Sequence, residues 1–350
     1  MSHRAADLPA GFAGRVVRWQ RTHGRNSLPW QDTREPYRVW LSEIMLQQTQ
    51  VATVLDYYAR FLARFPDVRQ LAAAHEDEVM ALWSGLGYYS RARNLHRCAQ
   101  DVVALHGGEF PRNAKGLQML PGIGRSTAAA IASFCFGERV AILDGNVKRV
   151  LARVLGYGTD LAQAASEREL WGRADALLPR RNLGEAMPRY TQGLMDLGAT
   201  VCLARSPSCL VCPVSELCVA RREGNPEAYP VKSRKLKRTS QALWLLQARN
   251  RQGSTWLEKR PATGIWAGLY CLPVFESRDA LQAALPVRAQ SRLRDGEPFL
   301  HVLTHKDLHL HPVAIEVPSS SLRNSRGAWF AGGDLRQIGL PAPIRRLLQD

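Results

Sequence analysis

The chemistry available to this sequence gathers in two carboxylates, one glycine-containing turn and four cysteines. Glu43 lies within Val39-Trp40-Leu41-Ser42-Glu43-Ile44-Met45-Leu46, with Val39 and Leu46 one helical turn away on either side. Buried in that setting, its carboxyl would keep its proton near neutrality, as a general acid must. At the edge of the apolar stripe it would be an ordinary exposed glutamate. Asp144 follows the apolar approach Val140-Ala141-Ile142-Leu143 and opens a helical stretch. It reads either as a plain N-cap or as a second working carboxylate.

Between them lies Leu120-Pro121-Gly122-Ile123-Gly124-Arg125, a tight turn joining two helical stretches. Gly122 and Gly124 permit unusual backbone angles and close approach. The turn amides and the start of the next helix then offer donors to a phosphate, although many helix pairs use such a turn for connection alone. Cys202, Cys209, Cys212 and Cys218 have the spacing C-x6-C-x2-C-x5-C. Zinc or an iron–sulfur cluster could be ligated by such a set. The single C-x2-C pair, its unequal flanks and the lack of a nearby His favour a [4Fe–4S] cluster over zinc. Four thiolates close the coordination sphere, which suits a structural or DNA-contacting role, with Arg205 in the loop available to phosphate.

The elements that must position these groups are helical from 8 to 220. The apolar pattern at Trp40, Ile44, Val51, Leu55 and Tyr58 predicts one helix running on to Tyr57 without Pro or Gly. Further helices are expected near 68–83, 91–105, 125–136, 146–155 and 166–178, separated by breaks such as Gly85-Leu86-Gly87 and Pro121-Gly122. The pattern changes at 221–238, where Gly224-Asn225-Pro226 precedes the basic run Pro230 to Arg238, read as a linker. Strand-like segments at 240–249, 253–258, 269–275 and 298–316 make 239–350 a separate α+β domain. The fold class is therefore multidomain, all-α and then α+β, with no internal repeat.

At 350 residues the chain can build two or three cores. Its 47 Lys and Arg against 31 Asp and Glu give a net charge of +16. Such a surplus suits a polyanionic partner bound in a salt-dependent way, or simply a basic protein. Seven cysteines, four of them within 202–218, argue for a metal site in a reducing compartment rather than a disulfide framework. No run of about 18 apolar residues suggests a membrane span. The start, Met1-Ser2-His3-Arg4-Ala5, lacks the apolar core of a signal peptide. A bacterial cytoplasm, with association to the nucleoid through DNA, and a monomeric state are the expectations.

Taken together, the Pro-Gly-Ile-Gly turn, Asp144 and the cysteine spacing resemble the helix-hairpin-helix DNA glycosylases that include endonuclease III, over roughly 8–220. Pro36 to Val51, Gly85 to Asn94 and Ile142 to Val150 look like the signatures of adenine DNA glycosylases of the MutY type. The resemblance implies excision of adenine mispaired with 8-oxoguanine or guanine in double-stranded DNA. A protonated Glu43 would deliver a proton to the departing adenine, and ionised Asp144 would stabilise the sugar cation, directly or as an adduct.

By the same resemblance Arg25, Leu28 and Trp30 line the adenine pocket, as does Gln192. Gln48 and Tyr88 insert into the duplex beside the flipped base or its partner, although Tyr88 and Trp30 also suit core packing. Ser126 stands where endonuclease III carries a lysine after Gly-x-Gly-Arg; without that amine, strand cleavage by β-elimination is not expected. The last domain resembles the Nudix-like module shared with 8-oxo-dGTP pyrophosphatases, without their acidic G-x5-E-x7-R-E-x2-E-E box. Thr304 and His305 match its 8-oxoguanine-reading turn, with Leu303 where some relatives have Phe, and Arg260 to Tyr270 is a further family-like stretch. Two other readings compete: a bifunctional endonuclease III-like glycosylase and lyase, and a non-catalytic DNA-binding iron–sulfur protein. Ser126 opposes the first, and the presence of both carboxylates opposes the second.

Overall fold

The structure, a computed structural model, describes residues 8–233, 238–322 and 327–349. The Met1–Ala5 start and residues 234–237 of the basic run lie outside them. The described residues fall into two compact units, one within Met1–Tyr58, Asp67–Arg69 and Arg97–Lys235, the other within Ala59–Pro66, Gln70–His96 and Leu236–Asp350. The chain therefore passes between units near 58 and 96 as well as through the segment 221–238.

In chain order the helices are α1 (Phe12–His23), α2 (Pro36–Leu46), α3 (Val51–Arg64), α4 (Val68–Ala73), α5 (Glu76–Trp83), α6 (Ser90–His106), α7 (Ala114–Leu117), α8 (Arg125–Phe136), α9 (Gly145–Leu155), α10 (Ala164–Ala176), α11 (Leu183–Thr200) and α12 (Val219–Arg222). Glu35 caps α2, accepting from the Tyr37 and Arg38 amides at 2.9 Å each, and Pro36 occupies the first turn. The expected helix from Val39 to Tyr57 is broken: α2 stops at Leu46, Gln48 takes a left-handed φ of 56°, and α3 starts at Val51. The break needs no Gly or Pro because the turn is bonded locally and from outside. The Thr49 amide donates to the Leu46 carbonyl at 3.3 Å, and Gln47 Nε2 reaches Thr127 Oγ1 at 3.3 Å. The stretch 68–83 likewise splits into α4 and α5, with His75 accepting from the Asp77 amide at the start of α5. The helices expected near 91–105, 125–136, 146–155 and 166–178 form as α6, α8, α9 and α10.

The core of the first unit surrounds α9, whose Val147, Val150, Leu151 and Leu155 are buried with Leu143, Leu170, Leu194 and Leu197. The amphipathic face of α9 thus lies against α11 and α12. Arg153 is the exception on that face, 2% exposed.

In the second unit the strands are β1 (Thr239–Arg249), β2 (Thr255–Lys259), β3 (Tyr270–Cys271), β4 (Val274–Phe275), β5 (Arg294–Asp295), β6 (Phe299–Val302), β7 (Lys306–Glu316) and β8 (Gly327–Phe330), with helices α13 (Arg278–Ala283), α14 (Val287–Gln290) and α15 (Ala342–Gln349). They form an eight-stranded mixed sheet with the path β3-β2-β1-β7-β5; β4 pairs with β1, β6 with β7 and β8 with β2. β1 and β7 run parallel from Thr239↔Lys306 to Arg249↔Glu316. The α+β expectation holds, with two refinements. The segment 269–275 gives two short strands around Leu272-Pro273, since proline has no amide to donate to a ladder. The segment 298–316 gives β6 and β7 around the turn Leu303-Thr304-His305. Leu246, Ala248, Leu281, Val313 and Ile315 form one core against that sheet.

Candidate active site and cluster loop

Glu43 projects from α2 into the wall of a cavity of about 430 Å³ in the first unit, which it shares with Trp30, Gln31, Ser42, Phe134 and Gln192. Burial, and then the charge of Asp144, push its carboxyl up to about 8. Asp144 sits at the N-cap of α9, its Oδ1 accepting the Val147 amide at 2.7 Å. Burial also raises its carboxyl, but the Val147 and Asn146 amides and the cations of Arg149 and Lys148 pull the other way. The two carboxyls are close enough to interact and sit in opposite surroundings. Asp144 has donors and cations that favour its ion; among the described residues none acts so on Glu43, so Glu43 is the one that keeps a proton. The N-cap reading of Asp144 is the one the geometry shows directly; its charge also reaches Glu43, although Asp144 is not among the residues lining the cavity.

The turn that precedes α8 holds Asp144 in place. Gly122 has a φ of 75°, which lets Leu120 and Ile123 bury on either side of it. Gly124 precedes α8 with no side-chain cap, leaving first-turn amides free of protein partners of that kind, and nothing lies within 4 Å of where its Cβ would stand. One residue into α8, Ser126 Oγ accepts the Leu143 amide at 3.0 Å.

Trp30 is 7% exposed and meets Tyr58 edge-on at 5.3 Å, so it is both packed and cavity-lining. Arg25 and Leu28 are not among the cavity-lining residues. Arg25 turns to Asp196, giving it Nε at 2.8 Å and its backbone amide at 3.0 Å. The Leu28 amide donates to Gln31 Oε1 at 3.2 Å. Gln192, in α11, does line the cavity, and its Nε2 donates to Asp196 Oδ1 at 2.8 Å. Asp196 and Gln31 were not singled out in the sequence. The i, i+4 spacing of Gln192 and Asp196 on one helix was the available signal for the former.

Gln48 is exposed in the α2–α3 break. Tyr88 is 42% exposed with a left-handed φ of 48°. In the second unit its hydroxyl stands 2.7 Å from Thr304 Oγ1, and the Arg91 guanidinium lies 5.3 Å from its ring centre. Thr304 and His305 are exposed at the β6–β7 turn, which is pinned by the Leu303 amide to Lys306 (2.8 Å) and the Thr239 amide to His305 (3.1 Å).

Cys202, Cys209, Cys212 and Cys218 line one small cavity with Val150, Arg153 and Val154 of α9. None forms a disulfide. Among the described residues no group of three His, Cys, Asp or Glu is arranged to hold a metal ion. The thiols nevertheless converge on that one cavity, close enough that, after burial, the other three are among the influences raising Cys212. Four sulfur donors on one cavity, with no imidazole or carboxylate among its lining residues, fit a sulfur-ligated iron centre. Arg153 ties the loop to α9, donating to the carbonyls of Leu203 (2.6 Å), Ala204 (3.0 Å) and Tyr229 (3.2 Å) and reaching Cys202 Sγ at 3.3 Å. Arg205 is exposed.

Fold and site together define a helix-hairpin-helix DNA glycosylase with an iron–sulfur segment. The HhH-GPD superfamily base excision DNA repair model matches residues 41–175, the iron-sulfur binding domain of endonuclease III matches 202–218, and the NUDIX domain matches 244–350. A thermostable thymine-DNA glycosylase superposes with a TM-score of 0.54 at 30% identity, over 61% of this chain and 95% of that one. An endonuclease III–DNA complex shares the fold, with a TM-score of 0.50 at 22% identity over 61% of this chain and 94% of that one. The adenine DNA glycosylase of Buchnera aphidicola (subsp. Acyrthosiphon pisum) is 35% identical, covering 97% of each chain. The adenine DNA glycosylase of Homo sapiens is 44% identical over 62% of this chain and 40% of its own. The chain belongs to the adenine DNA glycosylase family; it is a DNA-binding, [4Fe–4S]-containing enzyme of base excision repair. Among the described residues no helix is long and apolar enough to cross a membrane.

Proposed function

We propose that this protein is a monofunctional glycosylase that hydrolyses the N-glycosidic bond of adenine paired with 8-oxoguanine or guanine in duplex DNA. The observation that carries this is Glu43: a carboxyl at the wall of a base-sized cavity that holds its proton up to about pH 8, coupled to a carboxylate with amide and cationic support.

As the glycosidic bond breaks, its electron pair leaves with the base, and Glu43 gives its proton to a ring nitrogen of adenine. The sugar C1′ becomes cationic, and Asp144 offsets that charge. Water then adds to C1′, and the proton it sheds restores the Glu43 carboxyl. Ser126 offers a hydroxyl already engaged with Leu143. No amine stands there to form a Schiff base, so the strand stays intact.

Gly122, Gly124 and the first-turn amides of α8 suit a DNA phosphate. Gln48 and Tyr88, both exposed on left-handed backbone, suit insertion beside the extruded base. Thr304 and His305 would read the 8-oxoguanine. Cys202, Cys209, Cys212 and Cys218 would hold the cluster, which, when bound, supplies a covalent staple for the loop and no open coordination position. Residues 8–220 then form the excision region, 221–238 the linker and 239–350 the reading module, in a monomer of the bacterial cytoplasm associated with the nucleoid.

The test is a single-turnover assay on a labelled duplex with one adenine opposite 8-oxoguanine, each sample split and run with and without alkali. Cleavage only after alkali, lost in Asp144→Asn, is the expected result. Breakage without alkali would indicate a lyase, and no abasic site would sink the assignment.

A further inference from the structure

Asp196 is 0% exposed and sits one turn after Gln192 in α11. Its side chain receives donors only: Arg25 Nε and Gln192 Nε2 at Oδ1, both at 2.8 Å, and the Arg25 amide at Oδ2, at 3.0 Å. Gly24 makes room for this, since a Cβ there would stand 3.0 Å from Asp196 Oδ2. A carboxylate can only accept, so Gln192 must turn its amino end toward Asp196. Its Oε1 is left without a protein donor among the described residues, on a side chain that lines the cavity with Glu43. Gln31, on the same cavity, is fixed in the opposite sense. Its Oε1 takes the Leu28 amide at 3.2 Å, and its Nε2 is buried with no partner.

We propose that Asp196 is a positioning residue that locks the Gln192 carboxamide with its oxygen toward the cavity, making the excision site selective for a 6-amino over a 6-oxo purine. The two ends of an amide are nearly isosteric, so the neighbour's charge decides which way it faces. With three donors on the Asp196 carboxyl, the cavity offers one fixed acceptor, Gln192 Oε1, and one fixed donor, Gln31 Nε2. Adenine has a C6 amino donor beside ring-nitrogen acceptors, which complements that pair. A 6-oxo purine sets its carbonyl against the Gln192 oxygen and leaves both acceptors unpaired, which is how a polar site rejects a near-isostere. The inference rests on the adenine reading of this cavity.

The experiment compares single-turnover excision of adenine and of hypoxanthine, each opposite 8-oxoguanine, in the parent, in Asp196→Leu and in Asp196→Leu/Gln192→Glu, with melting temperatures recorded. Arg25 Nε and Gln192 Nε2 share Oδ1, so an asparagine could keep both bonds through its one oxygen, whereas leucine removes the acceptor. Without that acceptor the Gln192 carboxamide is free to turn either end to the cavity, and the adenine-to-hypoxanthine ratio should fall about tenfold. In the double variant the introduced glutamate can give one oxygen to Arg25 and leave the other as an acceptor at the cavity, and the ratio should return. An unchanged ratio in Asp196→Leu overturns the proposal. So does an equal loss on both bases that Gln192→Glu fails to reverse, since that is what a structural role alone would give. Binding of the free bases adenine and hypoxanthine, followed by ligand-observed NMR, reads the same ratio without chemistry. An inactive parent would therefore refute the reaction while the binding ratio still decides the role of Asp196.

Discussion

Ser126 and Leu143 meet at 3.0 Å, hydroxyl oxygen to backbone amide, one residue before Asp144. The hairpin turn and Asp144 are thereby one mechanical unit: α8 begins at the turn, and its second residue holds the approach to α9. On the proposed monofunctional reading, the residue that offers no amine for lyase chemistry also supports the approach to Asp144.

Removing that hydroxyl should be felt twice. Ser126→Ala leaves the Leu143 amide without its acceptor, costing about 1–3 kcal/mol of stability, seen as a lower melting temperature. Excision should slow by about tenfold as Asp144 loses its support, while DNA binding by anisotropy changes little. A variant with parental excision would uncouple the two residues.

On the proposed mechanism, Glu43 sets the alkaline limit of the reaction. Its acid form is required and its carboxyl is raised from 4.5 to about 8, so the single-turnover rate should hold at neutrality and fall as pH rises through about 8. Glu43→Gln should lower excision by about 10²–10⁴-fold and abolish that limb. The sign for stability follows from linkage. A carboxyl raised on folding contributes fully below about 4.5 and loses that contribution as pH passes 8. Glu43→Gln should therefore gain melting temperature relative to the parent at pH 9, and not at pH 4.5; equal curves at both would contradict the buried-acid assignment.

Asp144 combines a cap with a charge, and two substitutions separate them. Asp144→Asn can still accept the Val147 amide and should melt near the parent while losing excision. Asp144→Ala loses the cap as well, at a further cost of about 1 kcal/mol. If Asp144→Asn excised adenine at the parental rate, the residue would be a cap only.

Arg153 tests the cluster loop. The buried side chain, on α9, serves two loop carbonyls, Leu203 and Ala204, the Cys202 sulfur, and the Tyr229 carbonyl beyond the loop. Arg153→Met keeps apolar volume and abandons those acceptors, which should reduce iron and acid-labile sulfide per chain and the visible absorbance of the purified protein. Full iron occupancy in that variant would show that the four cysteines hold the loop unaided.

Much of this was legible in the chain itself. The C-x6-C-x2-C-x5-C spacing, the Pro-Gly-Ile-Gly turn and the cap position of Asp144 are local, and local rules of ligation, glycine conformation and helix capping fixed them before any packing. The helices α6, α8 and α9 and the change from helix to strand at 239 followed from periodicity for the same reason. Packing decided the rest. The Gln48 turn interrupts a stretch whose composition permits a continuous helix, held in part by a bond to Thr127. Tyr88 and Thr304 meet across 216 residues, and Arg25 reaches Asp196 across 171. The protonation of Glu43 is of the same kind, since it depends on what surrounds the carboxyl in space. Sequence states which groups are available; desolvation and the direction of a carboxamide exist only once distant segments have closed around them.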